Sequence, residues 1–123
     1  MNAAPLASPP ASPNPREIEE GGFDAVVSAS DRLTVIDFSA PWCGPCKRLE
    51  PILGELAAEL HGSVDFWKVD LDRNPRLAIR YGVQAVPTLL FLRSGHVVDR
   101  LTGLRPKRDL IERIRRLGEE RSD

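Results

Sequence analysis

An apolar run, Leu33–Ser39 (LTVIDFS), leads within a few residues into an amphipathic helical stripe and then into a second strand-like run, Val64–Asp70 (VDFWKVD). No other feature narrows the fold as much. The first run is rich in β-branched and aromatic residues and apolar on both pleat faces except at Asp37, the pattern of a strand in the middle of a sheet. Leu49, Ile52, Leu53, Leu56, Ala57 and Leu60 then recur at helical spacing. They predict a helix from about Cys43 to His61, closed by Gly62 and kinked at Pro51. Strand, helix and strand in that order require a right-handed crossover between parallel neighbours.

The flanking segments complete the pattern. Phe23–Ser30 predicts a short helix with Phe23, Val26 and Val27 on one side. Asn74 and Pro75 predict the cap and first position of another, ending near Gly82. Thr88–Arg93 and His96–Leu101 form a hairpin pattern around Ser94-Gly95. A last helix from Pro106 turns Leu110, Ile111, Ile114 and Leu117 inward and its arginines to solvent. The fold class is therefore α/β, a central mixed sheet with helices on both faces.

With 123 residues, 41% hydrophobic and 28% charged, the chain can build one core without disulfide staples. A formal net charge of −1 argues against nucleic-acid or anionic-membrane partners. No apolar run approaches the roughly 18 residues of a spanning helix. Residues 1–15 (MNAAPLASPPASPNP) hold five prolines and no charge, too little apolar surface to offset ordering, so a disordered tail is expected. That segment has neither the basic region nor the apolar core of a secretory signal. A cytoplasmic protein with its domain at 16–123 is the expectation.

The chain has two cysteines, Cys43 and Cys46. They are too few for a disulfide framework and supply half of what a structural zinc site needs. His61 and His96 stand in unrelated stretches and do not complete such a set. No metal is expected, and a close dithiol at a helix start points to redox chemistry. There the unpaired backbone N–H groups and the positive dipole end stabilise a thiolate. Cys43 is thus expected to attack, and Cys46, one turn inside and more shielded, to resolve. Gly44 lets a partner backbone come close and Pro45 restrains the turn. Asp37 is the other unusual residue, since burying a carboxylate raises its pKa and must be repaid by some use.

The run Ala40-Pro41-Trp42-Cys43-Gly44-Pro45-Cys46-Lys47, within IDFSAPWCGPCK, resembles the active site of the thioredoxin family. Pro51, Val86-Pro87-Thr88, Ser94-Gly95 and Gly103 match further family positions, and the likeness covers roughly residues 16–118. Ser39 departs from the many members that carry a second tryptophan there. The resemblance implies a thioredoxin fold and a protein-disulfide reductase working by dithiol–disulfide exchange. It implies that Asp37 is a buried acid/base serving Cys46, with Lys68 as a partner, and that the Val86–Pro87 bond is cis. Trp42, Gly44, Pro45, Ala85, Val86, Pro87 and Gly103 would form an apolar rim against the backbone of a client protein. No cofactor is implied beyond the redox-active Cys43–Cys46 disulfide. The implied partners of a monomeric protein are disulfide-containing clients and an NADPH- and flavin-dependent thioredoxin reductase. Two other readings stay open: a chaperone-like binding module that uses only the rim, and an extracytoplasmic disulfide oxidase or isomerase.

Overall fold

The structure is a computed structural model that describes residues 15–120. The expected tail, apart from Pro15, lies outside the described residues. In chain order the elements are β1 (Arg16–Glu17), α1 (Glu20–Ala29), β2 (Leu33–Ser39), α2 (Gly44–Glu59), β3 (Val64–Asp70), α3 (Pro75–Arg80), β4 (Thr88–Arg93), β5 (His96–Thr102) and α4 (Lys107–Glu120). The sheet order is β1-β3-β2-β4-β5. β1, β3 and β2 run parallel, and β4 and β5 are antiparallel to their neighbours. This is the mixed sheet expected from the sequence.

β2 is central and buried along its whole length, so its period-two alternation sends residues to opposite layers. Leu33 and Val35 join Leu49, Leu53 and Leu56 of α2 and Leu110, Ile114 and Leu117 of α4 in one core. Ile36 and Phe38 join Phe23 and Val27 of α1 and Leu77 and Ala78 of α3 in the other. Asp37 has the parity of Val35 and therefore points beneath α2. The crossover helix is thus what covers it. Lys107 of α4 holds α2 from outside, with Nζ 2.9 Å from Glu55 and 2.7 Å from Glu59.

The structure adds one element and corrects local detail. β1 is a two-residue edge strand paired to Trp67 and Lys68, too short to leave a periodic signal. α1 begins at Glu20, a turn before Phe23, because its start is capped from across the molecule. The Glu20 backbone N–H donates to Asn74 Oδ1 at 3.0 Å, and the Arg76 N–H donates to Glu20 Oε2 at 3.1 Å. Asn74 does stand at the start of α3, but its side chain makes no cap there. In α4 the arginines do not all face solvent: Arg113 is paired with Asp99 of β5. The hairpin turns at Ser94 (φ 53°) and Gly95 (φ 83°), two left-handed residues that give a turn matched to strand twist.

Candidate active site

β2 ends at Ser39 and the chain turns through Ala40–Trp42 into α2. Cys43 is the cap of that helix, with extended backbone angles (φ −91°, ψ 112°). Its sulfur accepts the backbone N–H of Cys46 at 3.1 Å. A sulfur takes the place that a serine or aspartate oxygen fills in ordinary helix caps. Gly44 and Pro45 follow as the first two helical residues, where the missing proline N–H costs nothing. Cys43 and Cys46 are joined in a disulfide with Cα atoms 5.3 Å apart. The contrast in shielding expected between them is small here, 4% against 2% exposed.

Around the disulfide lies a small apolar cluster of Ala40, Cys43 and Cys46, with Val86 packed on it. Val86 precedes a cis bond to Pro87. That loop is held on both sides. The Thr88 hydroxyl donates to the Ala85 carbonyl at 2.6 Å, and the Gly103 N–H donates to the Pro87 carbonyl at 2.8 Å. Gly103 has φ 97°, a left-handed conformation suited to glycine. Ala85 is exposed, Val86 and Gly103 are half-buried and Pro87 is buried. Trp42 is 66% exposed, with its indole N–H donating to Asp72 Oδ2 at 2.9 Å. Asp72, which sets the indole's orientation from 30 positions away, carried no signal in the sequence.

Asp37 is 2% exposed, and its Oδ1 has no hydrogen-bond partner among the described residues. Burial pushes its pKa up to about 7; Lys68 opposes the rise and Glu50 adds to it. Lys68 is the residue in register with Asp37 on β3. Its ammonium, however, is hydrogen bonded to Glu50 Oε2 at 2.6 Å. Burial alone would lower the Lys68 pKa. The Glu50 hydrogen bond and the charges of Glu50, Asp37 and Glu17 outweigh that and raise it. Glu50 is the second residue missed from sequence. It stands four positions after Cys46 on the same helix face, a spacing that was available but unremarkable for a surface glutamate. A cavity of about 190 Å³, lined by Asp37, Glu50, Leu53, Lys68 and Pro15, gives the carboxyl room for water.

No described helix is long and apolar enough to cross a membrane. Among the described residues, no group of three or more His, Cys, Asp or Glu side chains could hold a metal ion.

Comparison with known proteins matches residues 14–116 to the family model described as Thioredoxin. The chain is 42% identical over 96 residues to thioredoxins of Staphylococcus aureus strains Mu50 and MW2, covering 78% of this chain and 90% of theirs. Among solved structures it resembles a single-residue mutant of a thioredoxin from Halobacterium salinarum. That match has a TM-score of 0.76 and 35% identity, covering 85% of this chain and 90% of that one.

Proposed function

The chain belongs to the thioredoxin family, and on that premise we propose that Cys43 attacks client disulfides, Cys46 resolves the product and Asp37 handles the proton. It is a thiol–disulfide oxidoreductase, a protein-disulfide reductase that works through its own redox-active disulfide. Its partners are disulfide-containing proteins and a reductase that restores the dithiol.

The observation that carries the assignment of roles is the capping bond. Once the disulfide is reduced, the N–H of Cys46 and the positive end of α2 remain aimed at the Cys43 sulfur. They favour its thiolate, which is the attacking species. Thioredoxin is itself a standard example of this depressed thiol pKa. The thiolate bonds to one client sulfur and the other leaves, giving a mixed disulfide. Cys46 then gives its proton to Asp37 and attacks Cys43. The second client thiolate is released and the Cys43–Cys46 bond re-forms.

Trp42, Ala85, Val86, Pro87 and Gly103 form the client-binding rim in this reading. The packing of Val86 on the cluster of Ala40, Cys43 and Cys46 supports it, as does the tether from Gly103 to Pro87. Residues 16–123 are the functional domain. A flavin- and NADPH-dependent thioredoxin reductase in the cytoplasm is the electron donor, and the protein acts as a monomer. Gly44-Pro45 between the cysteines, a pair similar to that of reducing members, supports the reducing direction.

Insulin-disulfide reduction with dithiothreitol as electron donor tests this. The wild type accelerates it and Cys43→Ser does not. Full activity in a double Cys43→Ser/Cys46→Ser variant would point to a binding module. Faster oxidation of reduced insulin than reduction of the oxidised form would point to an oxidase.

A further inference from the structure

The Glu50–Lys68 ion pair is a wall shared by two clefts. One is the Asp37 cavity of about 190 Å³. The other, of about 150 Å³, opens beside Ala40, Pro41 and Lys47 at the active-site turn. We propose that Glu50 is a positioning residue for the proton step, holding the Lys68 ammonium away from Asp37 so that the carboxyl stays free to exchange a proton with Cys46. The inference rests on the reading of Asp37 as the base for Cys46.

The argument begins with the register. Lys68 stands opposite Asp37 on the neighbouring strand, so an ion pair between them is the simple outcome for a buried carboxylate. A bonded ammonium would hold Asp37 ionised and make it a weak base. It would also give Oδ1 a hydrogen-bond donor. The structure shows otherwise: the ammonium is 2.6 Å from Glu50, and Oδ1 has no partner among the described residues. The carboxyl is left with a pKa of about 7, close to the range where a base works best near neutrality. Glu50 comes from α2, one turn after Cys46, so one helix carries both the thiol that gives up the proton and the group that restrains the competing cation.

The other groups around Asp37 do not share this role. Its register partner on β4 is apolar Leu89. Glu17 of β1 acts on Lys68, and Arg16 lies over the Trp67 ring. Lys47 and Asp70 line the outer cleft. Glu50 also raises the Asp37 pKa directly, an effect weakened by solvent because its side chain is 50% exposed. Its main effect is where it places Lys68.

In the step concerned, the Cys46 thiol proton passes to the Asp37 carboxylate and the Cys46 sulfur bonds to the Cys43 sulfur. The bond from Cys43 to the client sulfur breaks, and its electron pair leaves with the client thiolate. The client is reduced and the Cys43–Cys46 pair oxidised.

The test is an NMR titration of the Asp37 carboxyl carbon in the reduced protein. It is run on wild type, Glu50→Gln, Lys68→Met and the double variant, beside the pH profile of mixed-disulfide release, which is also measured for Asp37→Asn. Glu50→Gln frees Lys68 to bond Asp37, so the carboxyl titration moves down by roughly half a unit or more and the release profile follows it. In the Lys68→Met background the same substitution moves it by clearly less, because only the screened charge of Glu50 is lost. Equal shifts in both backgrounds, or no shift in either, would overturn the proposal. Release by Asp37→Asn at the wild-type rate would instead overturn the assignment of the base. The two failures are distinguishable because the titration reads the place of Lys68 whatever the rate does.

Discussion

The backbone N–H of Cys46 donates to the sulfur of Cys43 at 3.1 Å, so the residue proposed to attack caps the helix that carries its disulfide partner. On the proposed mechanism, this donor also serves the Cys43 thiolate once the disulfide is reduced. The Cys43 thiol should therefore titrate well below that of Cys46. Brief alkylation of the reduced protein near neutral pH should label Cys43 first, as read by peptide mass mapping. Preferential labelling of Cys46 would reverse the two roles.

The proposed two-step mechanism separates the cysteines in a second way. Cys46→Ser removes the resolving thiol and should accumulate mixed disulfides with a model client. Cys43→Ser should accumulate none, because the attack never occurs. Non-reducing electrophoresis reads the difference directly, and equal trapping by both variants would refute the scheme.

Asp37 ties stability to pH. Its pKa rises from 3.8 in the unfolded reference to about 7 in the native protein, so between those values the native state binds the extra proton. The unfolded state then holds fewer protons, and stability falls as pH rises from about 4 through about 7. Above that range the buried charge costs a few kcal/mol. Asp37→Asn should be more stable than wild type at pH 8, by an amount that shrinks as the pH is lowered to 5. It should also resolve the mixed disulfide more slowly. Urea melts at several pH values and single-turnover release check the two halves separately. A variant less stable at pH 8 and equally fast would make Asp37 a structural residue.

Asn74 is 2% exposed and serves a helix to which it does not belong. Its Oδ1 accepts the Glu20 N–H at the start of α1, and its Nδ2 donates to the Asp70 carbonyl at 3.0 Å. Asn74→Ala leaves both groups without that partner and should cost roughly 1–3 kcal/mol, lowering Tm by several degrees. The insulin-reduction rate at 25 °C should not change. Thermal denaturation and the reductase assay together distinguish this from damage to the active site.

Removing residues 1–14 while keeping Pro15, which lines the Asp37 cavity, should alter neither Tm nor the reductase rate. A clear loss in either would assign those residues a place on the domain.

The elements that were legible share one property: their signal is local. LTVIDFS reads as a buried strand because its residues are apolar on both pleat faces except at Asp37, and all seven are buried. The α2 stripe reads as a helix because the side chains at its apolar positions all meet one sheet face. Cys43 and Cys46 announced their chemistry by spacing and by standing at a helix start. Asn74 shows where such reading stops: its place as the cap residue of α3 was legible, and the Glu20 N–H that its side chain accepts was not.

By itself the sequence determined the strand–helix–strand core, the place of the dithiol at its crossover and the isolation of one carboxylate in an apolar strand. Periodicity, turn chemistry and thiol spacing act over a few residues and need no knowledge of what lies opposite. Only the tertiary structure decided which side chain each polar group meets. It set Asp72 against Trp42, Asn74 against Glu20 and Glu50 against Lys68, pairs separated by 30, 54 and 18 positions. A polar side chain takes whichever partner the packed layers bring within about 3 Å, and Asp37 Oδ1 is brought none among the described residues. That choice depends on the register between strands and the seating of helices on the sheet, neither of which is recorded at any single position in the chain.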